Sequence, residues 1–243
     1  MTTTSNRRPY EFSLLMLLLA CIPACSEKLT PQEKAIAEFE KLGGTYEDGT
    51  LDLKGSNVTD TGLAHLKGLK LKVLNLSGTQ VTDAGLVHLE GLTELKGLFL
   101  FNTQVTDAGL VHLKDLTALE LLYLSRTQVT DAGLAHLKDL SELEYLSLGN
   151  TNVADAGLIH LKSLTNLHSL ELDDTKVTDA GLVHLKGLTE LLDLMLDNTK
   201  ITDAGLVHFN DSKLRELNLG GTQVTDLGFS DLEKALPKTL ITR

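Results

Sequence analysis

Leucine recurs at a near-constant interval along most of the chain. The pair Leu-x-Leu occurs at 51/53, 74/76, 98/100, 122/124, 146/148, 170/172, 194/196 and 217/219, at steps of 23, 24, 24, 24, 24, 24 and 23 residues. Alternate side chains of a strand share a face, so Leu122 and Leu124 point one way and Leu121, Tyr123 and Ser125 the other. Beyond a turn, Leu134, Leu137 and Leu140 stand three residues apart, which predicts one face of a helix. Strand and helix leucines then converge on one thin core. No unit closes that core alone, so the units must stack as a solenoid.

Both ends depart from the repeat. Thr30-Pro31-Gln32-Glu33 is a capping box with proline at the first helical position. Ala35, Ile36, Phe39 and Leu42 follow at helical spacing, and Gly43-Gly44 supplies a stop. This helix is one-sided, so it is expected to cover the open N-terminal end of the stack. At the other end Leu236-Pro237 breaks the last helix, and Leu240-Ile241 falls 23 residues after Leu217, where a further edge strand belongs. Pro237, Lys238 and Arg243 discourage stacking beyond it.

One full unit reads Leu119-x-x-Leu122-x-Leu124-x-x-Thr127-x-Val129-Thr130-Asp131-Ala132-Gly133-Leu134-x-His136-Leu137-x-x-Leu140. It resembles the leucine-rich repeat family, over residues 45–243. The Val-Thr-Asp-Ala-Gly-Leu segment is similar to the cysteine-containing subclass, with threonine in the usual Asn/Cys position. The resemblance implies an α/β horseshoe with a parallel sheet on the concave side and helices on the convex side. It does not imply a single function.

The constant polar positions read as structural. Thr79, Thr103, Thr127, Thr151, Thr175, Thr199 and Thr222 follow the strands, where a hydroxyl satisfies turn backbone. Asp60, Asp83, Asp107, Asp131, Asp155, Asp179, Asp203 and Asp226 open the helices. Either the Asp or the residue before it is the N-cap, and the acid suits the helix dipole. A glycine two residues later is expected to let neighbouring backbones approach. His65, His88, His112, His136, His160, His184 and His208 share one repeat position. A linear file does not converge on one tetrahedral point, so no zinc site is expected, and the aspartate file lacks the clustered oxygens calcium needs. No metal and no cofactor is predicted.

The start of the chain reads as an address. Arg7 and Arg8 precede the apolar run Ser13–Ala20, which is too short to span a bilayer as a helix. Ile22-Pro23-Ala24-Cys25 and Leu18-Leu19-Ala20-Cys21 both resemble the lipobox of bacterial lipoproteins. Cys25 is the preferred lipid-attachment residue, because it allows the longer apolar region and precedes the polar Ser26-Glu27-Lys28. The organisation is then a signal peptide over 1–24, a tether and capping helix over 25–44, and eight repeats of 23–24 residues with a C-terminal cap over 45–243. Both cysteines of the chain lie in this first part, so the body has no disulfide, thiolate site or cysteine nucleophile.

Charge narrows the partner. There are 22 Lys+Arg against 33 Asp+Glu, a net charge of -11, which disfavours nucleic acid. The sequence has no Gly-x-Ser-x-Gly, no P-loop and no dinucleotide fingerprint, so no enzyme activity is expected.

The variable outward strand positions are where recognition is expected. Phe99, Phe101, Leu121, Tyr123 and Tyr145 fall on three adjacent strands, with Arg126 and Asn102 at the edge. Four of the eight aromatic residues after Cys25 lie here, which marks an anchor site. Beside them Glu171, Asp173, Asp193 and Asp197, flanked by Asp174, form an acidic patch suited to a basic partner segment. The competing reading is that the rings pack on one another and the carboxylates only keep the face soluble. The sequence therefore predicts a non-enzymatic, lipid-anchored envelope protein that binds a protein or peptide on its concave face. A structural spacer, or an adaptor like some cysteine-containing repeat proteins, is the alternative.

Overall fold

The structure is a computed structural model that describes residues 29–243 apart from Asp211. Residues 1–28, which hold Cys21, Cys25 and the expected signal peptide, lie outside the described residues. Ten three-residue strands form one sheet in chain order: β1 Thr45–Glu47, β2 Thr50–Asp52, β3 Val73–Asn75, β4 Gly97–Phe99, β5 Leu121–Tyr123, β6 Tyr145–Ser147, β7 Ser169–Glu171, β8 Asp193–Met195, β9 Glu216–Asn218 and β10 Leu240–Thr242. From β2 onward all pairs are parallel and in register. Leu51, Leu74, Leu98 and Leu122 therefore lie side by side, and the row runs on through Leu217 to Ile241. The fold is the stacked solenoid that the spacing predicted, with the parallel sheet that the leucine-rich repeat resemblance implied.

One strand was not expected. β1 pairs antiparallel with β2, closing a hairpin over Asp48-Gly49. Both turn residues have positive φ (47° and 84°), the conformation that a tight hairpin demands and that Asp-Gly accepts. The hairpin covers the edge of the first repeat strand and so blunts a pairing site.

The convex side corrects a second expectation. Helices there are one turn long, as in Asp131–Leu134, followed by 3₁₀ or simple turns. The cause is the leucine spacing. On a continuous α-helix a three-residue step drifts by about 60°, so a fourth leucine would face solvent. Leu134, Leu137, Leu140 and Leu143 are all fully buried, through successive i→i−3 bonds at 3.0, 3.0 and 3.1 Å. A spacing of three wants three-residue turns.

Other elements take over from the repeat at both ends. Helix α1, Pro31–Lys41, starts at the Thr30/Glu33 capping box and buries Ala35, Ile36 and Phe39. Its ring edge meets His65, with centroids 6.2 Å apart. At the C-terminus the last helix, Asp226–Ala235, is the longest of the repeat body, and β10 adds to β9. Arg243 pairs with Asp226 and lies over the Phe229 ring.

The two 23-residue units leave openings in the convex side. A cleft of about 570 Å³ lies along Lys67–Leu71 and Val87–Glu94, and one of about 310 Å³ lies between Leu182–Leu191 and Val207–Leu214. In the second, Phe209 and Leu214 bracket a segment with no counterpart of Leu188, so one layer of the core is a side chain short.

Candidate functional site

The repeat first builds a rigid floor. Each post-strand threonine donates its hydroxyl to the strand carbonyl three residues back, as Thr127 does to Leu124 at 2.6 Å. Of the two N-cap candidates that the sequence offers, the structure uses the residue before the aspartate in the units from Asp83 onward. The N-cap is the preceding threonine: Thr130 accepts from the Ala132 N–H at 3.4 Å. The Asp carboxylate instead crosses to the next unit, where Asp107 accepts from the Thr130 N–H and hydroxyl. The glycine of the motif makes room for that carboxylate: a Cβ on Gly109 would sit 2.5 Å from Asp83 Oδ1. Close approach is thus to an aspartate side chain as well as to backbone.

On this floor the outward side chains stand in rows. Phe99, Tyr123, Ser147 and Glu171 are in register across β4 to β7. The Phe99 and Tyr123 rings stack with centroids 4.5 Å apart and planes 16° apart. That distance is close to the strand spacing of about 4.8 Å, so the parallel sheet itself imposes the stacking. Tyr145 lies opposite Leu121, yet its ring stacks diagonally on Tyr123, at 4.5 Å and 26°. The small Ser147 opposite Tyr123 leaves the room, and Ser147 is only 2% exposed. At the other end the Phe99 ring edge lies beside Gly97, 3.4 Å from where a Cβ would stand, an ordinary contact distance.

The stack ends on a carboxylate. The Tyr145 hydroxyl donates to one oxygen of Glu171, and Ser147 Oγ donates to the other at 2.6 Å. Ser125 and Ser147 hydroxyls also bond to each other. Burial, then the Glu171 carboxylate, pushes the Tyr145 phenol far above its usual range, so it remains a donor. Both Glu171 oxygens are engaged inside the face. Glu171 thus stays in the acidic patch while also anchoring the end of the aromatic column.

The other acids are more open. Asp173 leans over Gly149 and Asp197 over Gly220, where an added Cβ would come within 2.5 and 2.7 Å of their oxygens. The two carboxylates, just after neighbouring strands, thus lean in opposite directions along the solenoid. Burial raises the pKa of both. Glu171, Asp174 and Asp197 add to the rise at Asp173, and Asp174 adds to it at Asp197. Asp193 is half-buried in the row of Leu121 and Tyr145, two strands beyond Tyr145.

Phe101 and Arg126 complete the aromatic end. Phe101 is 38% exposed, and the Arg126 guanidinium sits 5.4 Å from its ring centroid. The structure thus gathers Phe99, Phe101, Leu121, Tyr123, Tyr145 and Arg126 on one face and continues it with the acids. Sequence reasoning missed the serines that lock the array. Their signal was present as small residues at outward positions beside large rings.

The histidine file runs along the convex side. His112 Nδ1 lies 2.6 Å from Glu90 Oε1 in the preceding unit, and His208 Nδ1 is buried without a partner. Among the described residues no group of three or more His, Cys, Asp or Glu is placed to hold a metal ion. No described helix is long and apolar enough to cross a membrane.

Comparison with known proteins agrees with the geometry. The family profile described as "Leucine Rich repeat" matches residues 69–89, 163–185 and 210–232. No curated protein sequence matches the chain. Among solved structures, internalin C2 of Listeria monocytogenes is similar at 25% identity and a TM-score of 0.65, covering 88% of this chain and 96% of that one. An internalin (InlF) of the same organism is also 25% identical, with a TM-score of 0.55, 93% of this chain covered and 74% of that one. A leucine-rich repeat protein of Leptospira interrogans shares the fold at 22% identity and a TM-score of 0.54. The alignment covers 74% of this chain and spans about half (51%) of that one. The 23–24-residue period, the parallel sheet and these likenesses together show the leucine-rich repeat solenoid fold.

Proposed function

We propose that this is an exported, lipid-anchored recognition module of the bacterial cell envelope, attached through Cys25, which binds a protein or peptide on its concave face. The observation that carries the reading is the aromatic array. Phe99, Tyr123 and Tyr145 form one stacked column, with Phe101 exposed beside it, in a chain poor in aromatic residues. Large rings held in one geometry lose little conformational entropy on binding and act as anchors. Asp173, Asp193 and Asp197 continue the face and suit a basic segment of the partner. Extended concave surfaces of solenoids are their usual binding sites. Catalysis forms no part of this reading, because the engaged Glu171 and the oppositely leaning aspartates offer no acid–base pair across a pocket.

The alternative is a structural spacer, favoured by the fact that the rings also satisfy one another. A crosslinking pull-down from source-cell envelopes separates the two. The bait is the full chain, beside a Phe99→Ser, Phe101→Ser, Tyr123→Ser version whose fold is checked by circular dichroism. A partner captured by the parent and lost with the variant supports recognition. Equal capture, or none by either, supports the spacer.

A further inference from the structure

One backbone position in each repeat is left-handed. It holds Gly55, Gly78, Asn102, Arg126, Asn150, Asp174, Asn198 and Gly221, all with φ between 53° and 68°. Seven are glycine, asparagine or aspartate, the residues that tolerate this conformation. Arg126 (φ 57°) is the exception. A long side chain kept where the backbone disfavours it points to a use for that side chain.

The surroundings say what the use is. Arg126 is exposed, and its guanidinium covers the Phe101 ring. A cation–π contact takes up no acceptor, so the guanidinium N–H donors remain available to a carboxylate. Among the described residues no carboxylate pairs with it. Glu171, the carboxylate that ends the same aromatic column, is occupied by Tyr145 and Ser147. From Phe99 to Asn198, Arg126 is the one basic residue among the outward strand positions and the left-handed turns that follow them. Between Phe99 and Asn198 the concave face therefore carries one cation without a carboxylate partner, 5.4 Å from the centroid of an exposed ring and next to a stacked aromatic column.

We propose that Arg126 and Phe101 form a carboxylate-reading corner. The partner presents an extended peptide segment with an Asp, a Glu or a terminal carboxylate on the guanidinium edge, and an adjacent apolar or aromatic side chain on the Phe101–Tyr123 rings. Bidentate pairing of guanidinium with carboxylate gives the site direction as well as affinity. The inference rests on concave-face recognition of a protein or peptide and specifies which chemistry that face reads.

The test is selection from a phage-displayed library of random linear peptides on the full chain. Recovered peptides are then titrated by fluorescence anisotropy against the parent, Arg126→Asn, and the Phe99→Ser, Phe101→Ser, Tyr123→Ser protein. The expected result is a shared acidic residue beside an apolar one, whose replacement by the matching amide weakens binding roughly tenfold. Arg126→Asn should weaken the acidic peptide to the same extent and the amide peptide no further, while melting at or above the parent temperature. Peptides that need the rings but ignore both Arg126 and their own acid overturn this inference and leave concave-face recognition standing. Peptides indifferent to the triple substitution, or none recovered, overturn both. A lower melting temperature for Arg126→Asn shows a scaffold role and also overturns it.

Discussion

Asp107 and Thr130, 23 residues apart in sequence, are joined by two hydrogen bonds: the aspartate oxygens accept from the threonine N–H at 2.7 Å and from its hydroxyl at 2.6 Å. The same pairing joins Asp60 to Thr82, Asp83 to Thr106, Asp155 to Thr178, Asp179 to Thr202 and Asp203 to Thr225. Charge-assisted bonds of this kind tie each helix start to its predecessor and hold the register of the units. The threonine hydroxyl does two jobs, donating to the aspartate and accepting from its own helix.

The ladder has one gap. Asp131 meets Ala154, which offers only its N–H, at 2.7 Å, and caps nothing with its side chain. Its backbone is extended (φ −133°, ψ −169°), close to Thr130 (φ −125°, ψ −173°). Ala154→Thr therefore restores both the cap and the second bond, and should stabilise the fold by about 1 kcal/mol. Urea unfolding of the two proteins measures this, and an unchanged or lower midpoint would show that the side-chain rung contributes nothing.

Gly133 should resist alanine despite its helical backbone. An added Cβ would press on Asp107 Oδ1 and lie 3.0 Å from Leu110 Cδ1. In an open helix glycine-to-alanine stabilises by about 0.4–1 kcal/mol; crowding of the rung reverses the sign, and we expect a loss of about 1–3 kcal/mol. Combining Gly133→Ala with Asp107→Ala should cost less than the sum of the single changes. Strict additivity in this double-mutant cycle would refute the crowding.

Asp173 predicts a pH-dependent gain. Burial and neighbouring carboxylates raise its pKa, so its ionisation costs stability in the folded state. That cost is fully present above the raised folded pKa and vanishes below the unfolded value of about 3.9. Asp173→Asn should thus raise the urea midpoint at neutral pH, and the gain should shrink on acidification through the folded pKa. A gain independent of pH would assign the effect to packing.

The N-terminal cover should matter more than its position suggests. Phe39, on the inner face of α1, is fully buried and joins Leu51, Leu53 and Leu63 in one core. Phe39→Ala should destabilise by about 3–5 kcal/mol, because the first unit has no neighbour to replace the lost packing. Amide hydrogen exchange should quicken over β1 and β2 before β5 and β6. Uniform acceleration along the sheet would contradict local capping.

Much of this architecture was legible in the chain because it depends on short spacings. Leu122 and Leu124 share a face by the pleat of a strand, and Thr30 and Glu33 meet by the pitch of a helix; both interactions are written within four residues. The period of 23–24 then places like residues beside like, so the rows of the concave face followed from sequence alone. The left-handed column containing Arg126 was equally written there, as Gly, Asn or Asp in seven of eight units. Tertiary structure decided what depends on direction. Whether Asp107 caps its own helix or reaches Thr130, whether Tyr145 stacks on Tyr123 or stands over Leu121, and whether Glu171 is free or held by Tyr145 and Ser147 are choices between partners at similar distances. Rotamer, room beside a glycine or serine, and the spacing of about 4.8 Å between strands settle them, and those quantities exist only once the units are stacked.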